Sequence, residues 1–166
     1  RFLVPYLSGF SGWSLFMDCD MLCLADIEEL WSLQREEFAV MCVKHEYQPS
    51  GGLKFLDQIQ TKYEKKNWSS VMLFNNEKCM ALTPKVVQSE SGLFLHQFKW
   101  LIDDAQIGAL PKEWNYLVGE PAGSITAPKL IHYTLGGPYF DEFSNCEHAE
   151  LWRDEYDRMT YSMRRK

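Results

Sequence analysis

The sequence predicts an α/β fold, and three neighbouring features predict it. The run Trp13 to Leu24 (WSLFMDCDMLCL) is apolar and aromatic, broken only by two aspartates and small or thiol side chains. That is the pattern of a strand buried on both faces in a largely parallel sheet. Asp26 follows, with Glu29 three positions on and Leu30, Trp31 and Leu33 behind it, a capping-box-like start to a helix. A second apolar run, Phe38 to Val43 (FAVMCV), closes a strand–helix–strand unit.

The remaining elements follow in order. His45 to Gly52 (HEYQPSGG) holds a proline and paired glycines, so a loop is expected there, placed as a cleft rim with Lys44, His45 and Glu46 at its entrance. Trp68 to Phe74 (WSSVMLF) predicts a further strand. Thr83 and Pro84 read as an N-cap and first-turn proline of a short helix. Leu93, Phe94, Phe98, Leu101 and Ile102 recur at near-helical spacing and predict a second helix. Lys129 to Thr134 (KLIHYT) predicts a late strand running into Gly136, Gly137 and Pro138. From about Ala149 to Lys166 acids come early and arginines late, the order that a helix dipole favours.

Composition bounds the function. The chain has 166 residues, the length of one compact domain, with 46% hydrophobic and 24% charged residues and a net charge of −6. Excess negative charge repels a phosphate backbone, and the one dense basic cluster is Arg164, Arg165 and Lys166, so nucleic acid is not an expected partner. No apolar stretch approaches the ~20 residues of a bilayer span, and no signal-type segment opens the chain. A soluble protein is expected. Five cysteines (19, 23, 42, 79 and 146) lie apart, without a C-x-x-C pair, so neither disulfides nor structural zinc is indicated and a cytoplasmic location is expected. The chain opens on Arg1 and runs directly into Phe2, Leu3 and Val4, which reads as the continuation of something longer.

Asp18 and Asp20 stand two apart in the first predicted strand, so both carboxylates project from one face while Cys19 points away. Two adjacent carboxylates repel, and a divalent cation with oxygen ligands relieves that repulsion most simply. Cys19 and Cys23 have no neighbour that would make a thiolate, and read as packing residues. Trp68, Trp100, Trp114, Tyr133 and Tyr139 read chiefly as core.

The company of the two acids sharpens the reading. Asp18-Cys19-Asp20, the following apolar residues, Asp26 and a short helix ending Leu30-Trp31 resemble the D-x-D segment of GT-A glycosyltransferases, most of all the glycogenin-like retaining family. Further on, Trp68-Ser69-Ser70-Val71-Met72 is similar to that family's Asn-Ala-Gly-Val-Met strand, and Leu110-Pro111-Lys112-Glu113-Trp114-Asn115 matches its Leu-Pro-x-x-Trp-Asn. Ile131-His132-Tyr133-Thr134-Leu135-Gly136-Gly137 looks like its His-(Phe/Tyr)-x-Gly segment. The likeness runs from about Arg1 to Phe140. It implies a GT-A, nucleotide-diphospho-sugar transferase type of α/β fold, with a mixed central sheet flanked by helices. Residues 1–166 would form a single domain, the C-terminal portion of an N-terminally truncated GT-A unit whose nucleotide-binding half precedes Arg1.

The resemblance also implies a site. Asp18, Asp20 and His132 would hold Mn2+, or Mg2+, on the diphosphate of a nucleotide-sugar donor, a UDP-sugar foremost; an imidazole ligand favours Mn2+. Gly136 and Gly137 would let backbone approach the phosphates, and Ser69 and Ser70 would line the sugar pocket. Gln97 and His96 stand where the family places Gln and Asp near the reacting sugar, so His96 replaces a carboxylate. Pro138-Tyr139 stands where the family has a lysine. The implied activity is metal-dependent hexose transfer to a carbohydrate or other hydroxyl acceptor, with retention. Two other readings stay open: a catalytically inactive sugar-binding or assembly module, marked by sugar binding that ignores metal and nucleotide, and a metal-dependent phosphoester hydrolase, marked by phosphate release without an acceptor.

Overall fold

The apolar run from Trp13 to Leu24 does not remain in one sheet. In the structure, a computed structural model that describes residues 1–46, 53–54, 58–59, 64–120 and 125–163, it divides into two strands, β1 (Trp13–Met17) and β2 (Met21–Cys23). A short helix, α1 (Val4–Leu7), precedes them and α2 (Ile27–Trp31) follows. Next come β3 (Val40–Val43), the small pair β4 (Leu53–Lys54) and β5 (Gln58–Ile59), and β6 (Val71–Asn75), entered through a 3-10 turn over Trp68–Ser70. Helices α3 (Pro84–Ser89) and α4 (Gly92–His96) lead to β7 (Ile107–Leu110), β8 (Tyr116–Leu117), β9 (Leu130–His132) and the long α5 (Ala149–Met163).

The larger sheet has the order β1-β6-β3-β7, with β3 and β7 parallel and the other pairs antiparallel; the second has the order β2-β9-β8. The sheet is therefore mixed, as the GT-A likeness implies, and not largely parallel. Nor is β1 the expected central strand: it lies at the edge and is half-buried. The strand–helix–strand reading also changes, because β3 lies between β6 and β7, and β2 belongs to the other sheet. The cause is the D-x-D itself. Two carboxylates have no place in a buried ladder, so the chain leaves the first sheet at Asp18, whose N–H donates to Ser70 O at 2.9 Å, and enters the second with Met21 opposite His132.

Strand periodicity explains the core. Val40, Cys42, Met72 and Phe74 face Leu82, Leu95, Phe98 and Trp100 on one side of the large sheet. Met41, Val43, Val71 and Leu73 face Leu30, Trp114 and Leu130 on the other. Both faces are covered, which is why β3 and β6 read as unbroken apolar runs. Beyond the small sheet, Ile131, Tyr116 and Tyr133 pack with Leu151 and Trp152 of α5. Trp100, Trp114 and Tyr133 are core residues as expected, Trp68 is half-buried, and Tyr139 is exposed.

Local signals held at the helix starts. Asp26 caps α2 by accepting from Glu28 N at 2.9 Å, and Thr83 caps α3 by accepting from Val86 N at 3.3 Å with Pro84 in its first turn. The expected strand from Trp68 starts only at Val71. The helix expected through Ile102 stops at His96, because Phe98 adopts φ 58° and Lys99 N bonds back to Phe94 O at 3.0 Å, a Schellman-type end. Phe98, Trp100 and Leu101 then reach the core from irregular backbone. Cys19 and Cys23 are exposed and do not serve as packing residues; the Cys23 thiol donates to Ala25 O. Most of the expected loop, from residue 47 to 52, and the basic cluster at 164–166 lie outside the described residues.

Candidate functional site

The crossing between the two sheets places Asp18 and Asp20 beside the end of β9. Because β2 pairs antiparallel with β9, and Tyr133 N donates to Asp20 O at 3.0 Å, the acid segment is pinned against His132. One ligand atom each from Asp18, Asp20 and His132 lie within 4.8 Å of one another, the one such cluster among the described residues. The three residues that the family likeness names are thus brought together, although Asp20 and His132 stand 112 positions apart in the chain.

The tautomer of His132 follows from its neighbour. Asn115, fully buried, donates from Nδ2 to the carbonyl of Asn67 at 3.2 Å, and that carbonyl can only accept. The Asn115 amide oxygen must then face His132 Nδ1, 2.9 Å away, and Nδ1 must carry a proton to donate to it. Nε2 consequently points its lone pair at Asp20 Oδ1 across 3.4 Å. Two acceptors in that position need a proton or a cation between them. A charge-assisted hydrogen bond would close to about 2.7–2.9 Å, so the wider spacing suits a cation. Oxygen, oxygen and imidazole nitrogen form a donor set for Mn2+, and a ligating histidine whose second nitrogen is held by an amide is the usual outer-shell arrangement.

The two acids differ electrostatically. Burial raises the Asp18 carboxyl above its ordinary range, with the charge of Arg1 the largest opposing influence. Burial also acts on Asp20, but the hydrogen bond and charge that His132 supplies once Nε2 takes up a proton outweigh it and hold that carboxyl below the ordinary range. Arg1 Nη2 lies 2.6 Å from Asp18 Oδ1, and its Nη1 donates to Ser69 O at 3.0 Å and to Ser69 Oγ at 3.3 Å. Ser69 Oγ in turn lies 2.6 Å from His96 Nδ1. The other sequence candidates occupy nearby positions. Ser70 receives the Asp18 N–H on its carbonyl, and its side chain is the smallest of the influences that oppose burial at the Asp18 carboxyl. Gln97 caps α4, its carbonyl accepting from the buried Lys65 at 3.1 Å.

The glycine pair behaves differently from a simple open turn. A Cβ at Gly136, where φ is 138°, would meet the Phe143 ring at 2.4 Å, and one at Gly137 would meet the Tyr139 ring at 2.4 Å. Both glycines therefore let aromatic rings fold back onto the loop that follows His132. At the entrance of the expected rim, Lys44 lies 5.6 Å over the Trp68 ring, Trp68 Nε1 donates to His45 O at 2.9 Å, and Glu46 extends into solvent 4.0 Å from Lys112. Among the described residues His45 Nε2 is buried without a partner, and burial holds the ring down to about 4, neutral in ordinary conditions.

Arg1 and Asn115 belong to the candidate site, and motif reading did not single them out. Asn115 closes the Leu-Pro-x-x-Trp-Asn motif, and its signal was that final residue; Arg1 gave none beyond its charge.

The fold is of the GT-A type. The glycosyltransferase GlyE of Streptococcus pneumoniae TIGR4, in its apo form, is similar to 93% of this chain over 41% of its own, with a TM-score of 0.61 at 18% identity. The galactosyltransferase LgtC, solved with donor and acceptor sugar analogues, is similar to 93% of this chain over 64% of its own, with a TM-score of 0.61 at 14% identity. The bifunctional glycosyltransferase WbbM is similar over 90% of this chain, with a TM-score of 0.52. The chain has the GT-A fold of these proteins, over part of their length. No family model matches the sequence. In sequence the chain is 45% identical to Protein CDI of Arabidopsis thaliana over 163 residues, which span 95% of this chain and 62% of that protein.

Proposed function

We propose that this protein is a metal-dependent glycosyltransferase that moves a hexose from a nucleotide-diphosphate sugar, uridine diphosphate foremost, to a hydroxyl acceptor with retention. The observation that carries the reading is the meeting of Asp18, Asp20 and an Asn115-oriented His132 at the seam of a GT-A fold. These residues fit Mn2+, which when bound supplies Lewis acidity to the departing diphosphate. The chain's own residues do the positioning. Asn115 fixes the His132 lone pair, and Arg1 neutralises part of the carboxylate repulsion. Ser69 and Ser70, both buried, bring the end of α4 against the acids. His96 and Gln97 then stand on the donor-sugar side, with Gly136 and Gly137 beside the diphosphate.

The full-length protein, incubated with Mn2+ and a panel of nucleotide-sugars, should hydrolyse or transfer one donor, and Asp20→Ala should lower that rate by at least 100-fold. A rate undiminished in Asp20→Ala, or phosphate release indifferent to any sugar acceptor, rejects the proposal.

A further inference from the structure

His96 is the position at which this chain departs from the family pattern, and its surroundings give it a defined task. A guanidinium has only donors, so Ser69 Oγ must accept from Arg1 Nη1. A hydroxyl could accept twice, but its proton has no acceptor in reach among the described residues other than His96 Nδ1, across a short 2.6 Å contact. That places the neutral ring's own N–H on Nε2. His96 and His132 are thus held in opposite tautomers, His132 by an amide oxygen and His96 by a hydroxyl. The guanidinium is fixed from several sides: one nitrogen on Asp18 at 2.6 Å, the other on Ser69 O and Oγ, and its face 5.2 Å from the Phe16 ring. The Phe2 ring holds His96 edge-on at 5.1 Å.

We infer that Ser69 and His96, acting through Arg1, hold the Asp18 carboxylate in the attitude that the metal requires, which makes His96 a positioning residue of the metal centre. The inference rests on the proposed metal site. Arg1 engages Asp18 Oδ1, so the carboxylate cannot spin about its last torsion, and its second oxygen is offered to a cation. Arg1 keeps that grip because Ser69 turns a lone pair toward it, and Ser69 does so because its proton is committed to His96. Removing the imidazole frees the Ser69 hydroxyl to rotate and removes one of the three hydrogen bonds to Ser69 and Asp18 that orient the fork.

The test measures Mn2+ affinity by the electron paramagnetic resonance of free Mn2+ in the full-length protein, without any donor sugar. His96→Ala and Ser69→Ala should each weaken binding about 5- to 10-fold, less than losing a direct outer-shell partner costs. His96→Asn, whose amide oxygen can take the place of Nδ1 as acceptor, should restore affinity to within about 3-fold of wild type. Side-chain 15N shifts should show Nδ1 of His96 unprotonated and Nδ1 of His132 protonated. A His96→Ala protein that binds Mn2+ as wild type does, while Asp20→Ala does not, overturns this inference and leaves the metal site standing. So does a His96→Asn protein that melts with wild type yet binds as weakly as His96→Ala. Wild-type protein that binds Mn2+ no better than Asp20→Ala overturns the site and the inference together.

Discussion

At the scale of single residues, Asn115 shows how one buried side chain fixes the tautomer of another. It is fully buried, and both ends of its amide are committed, to Asn67 O and to His132 Nδ1. Asn115→Leu keeps most of the volume but orphans a buried ring N–H and leaves the Asn67 carbonyl with the Ser70 N–H alone, at 3.3 Å, which should cost about 1–3 kcal/mol of stability. It also releases the imidazole to either tautomer, so Mn2+ affinity should fall about 10- to 100-fold. Asn115→Asp separates the two effects. One oxygen still accepts from His132, so metal binding should survive, while the other opposes the Asn67 carbonyl and lowers the melting temperature. Calorimetric titration of Mn2+ beside thermal melts of both variants checks this, and equal losses of affinity in Leu and Asp would refute the tautomer argument.

At the scale of elements, β7 is one of the strands that the sequence reading passed over, and Gly108 explains both its obscurity and its place. Ile-Gly-Ala-Leu has little β-propensity and no alternation, yet it pairs parallel with β3 through Met41 opposite Gly108. A Cβ at Gly108 would lie 2.5 Å from Phe38 Cδ2 and 2.8 Å from Met41 Cγ. Gly108→Ala should therefore destabilise by about 1–3 kcal/mol, read from the urea midpoint, although alanine in an open strand would be the better residue. Phe38→Leu combined with Gly108→Ala should recover part of that loss; strict additivity of the two would refute the steric account. The same comparison shows what was legible. Asp26 and Thr83 act through bonds to residues two or three positions away, so capping was readable from the chain. The end of α4 at Phe98 was not, because a bulky residue holds a left-handed conformation that glycine usually takes, and burial in the core stabilises it there. The meeting of the acids with His132 was legible only through motif order, since spacing alone says nothing of a partner more than a hundred positions away. Where the strand would break was hidden because apolar residues continue on both sides of the two acids.

At the scale of the whole molecule, that break is where the two sheets are joined, and the candidate ligands straddle it. Asp18 leaves the large sheet, Asp20 enters the small one, and His132 closes a strand of the small sheet whose neighbour Leu130 packs under Trp114 in the shared core. Without a cation, two half-buried carboxylates sit across the seam with Arg1 and His132 as their nearby positive or protonatable groups. A cation bound by all three would tie the sheets directly, and since the unfolded chain cannot assemble ligands from residues 18, 20 and 132, binding adds to folding stability by mass action. At free Mn2+ one hundred times its Kd the gain is about 2.7 kcal/mol, equivalent to a rise of roughly 5–10 °C in melting temperature for a domain of this size. Asp20→Asn should abolish the rise, because it removes a charged ligand from the middle of the crossing and keeps its shape. Differential scanning calorimetry with and without Mn2+ reads both proteins. An equal rise in wild type and Asp20→Asn would assign the cation to some other place on the surface, and would separate the seam from the chemistry proposed for it.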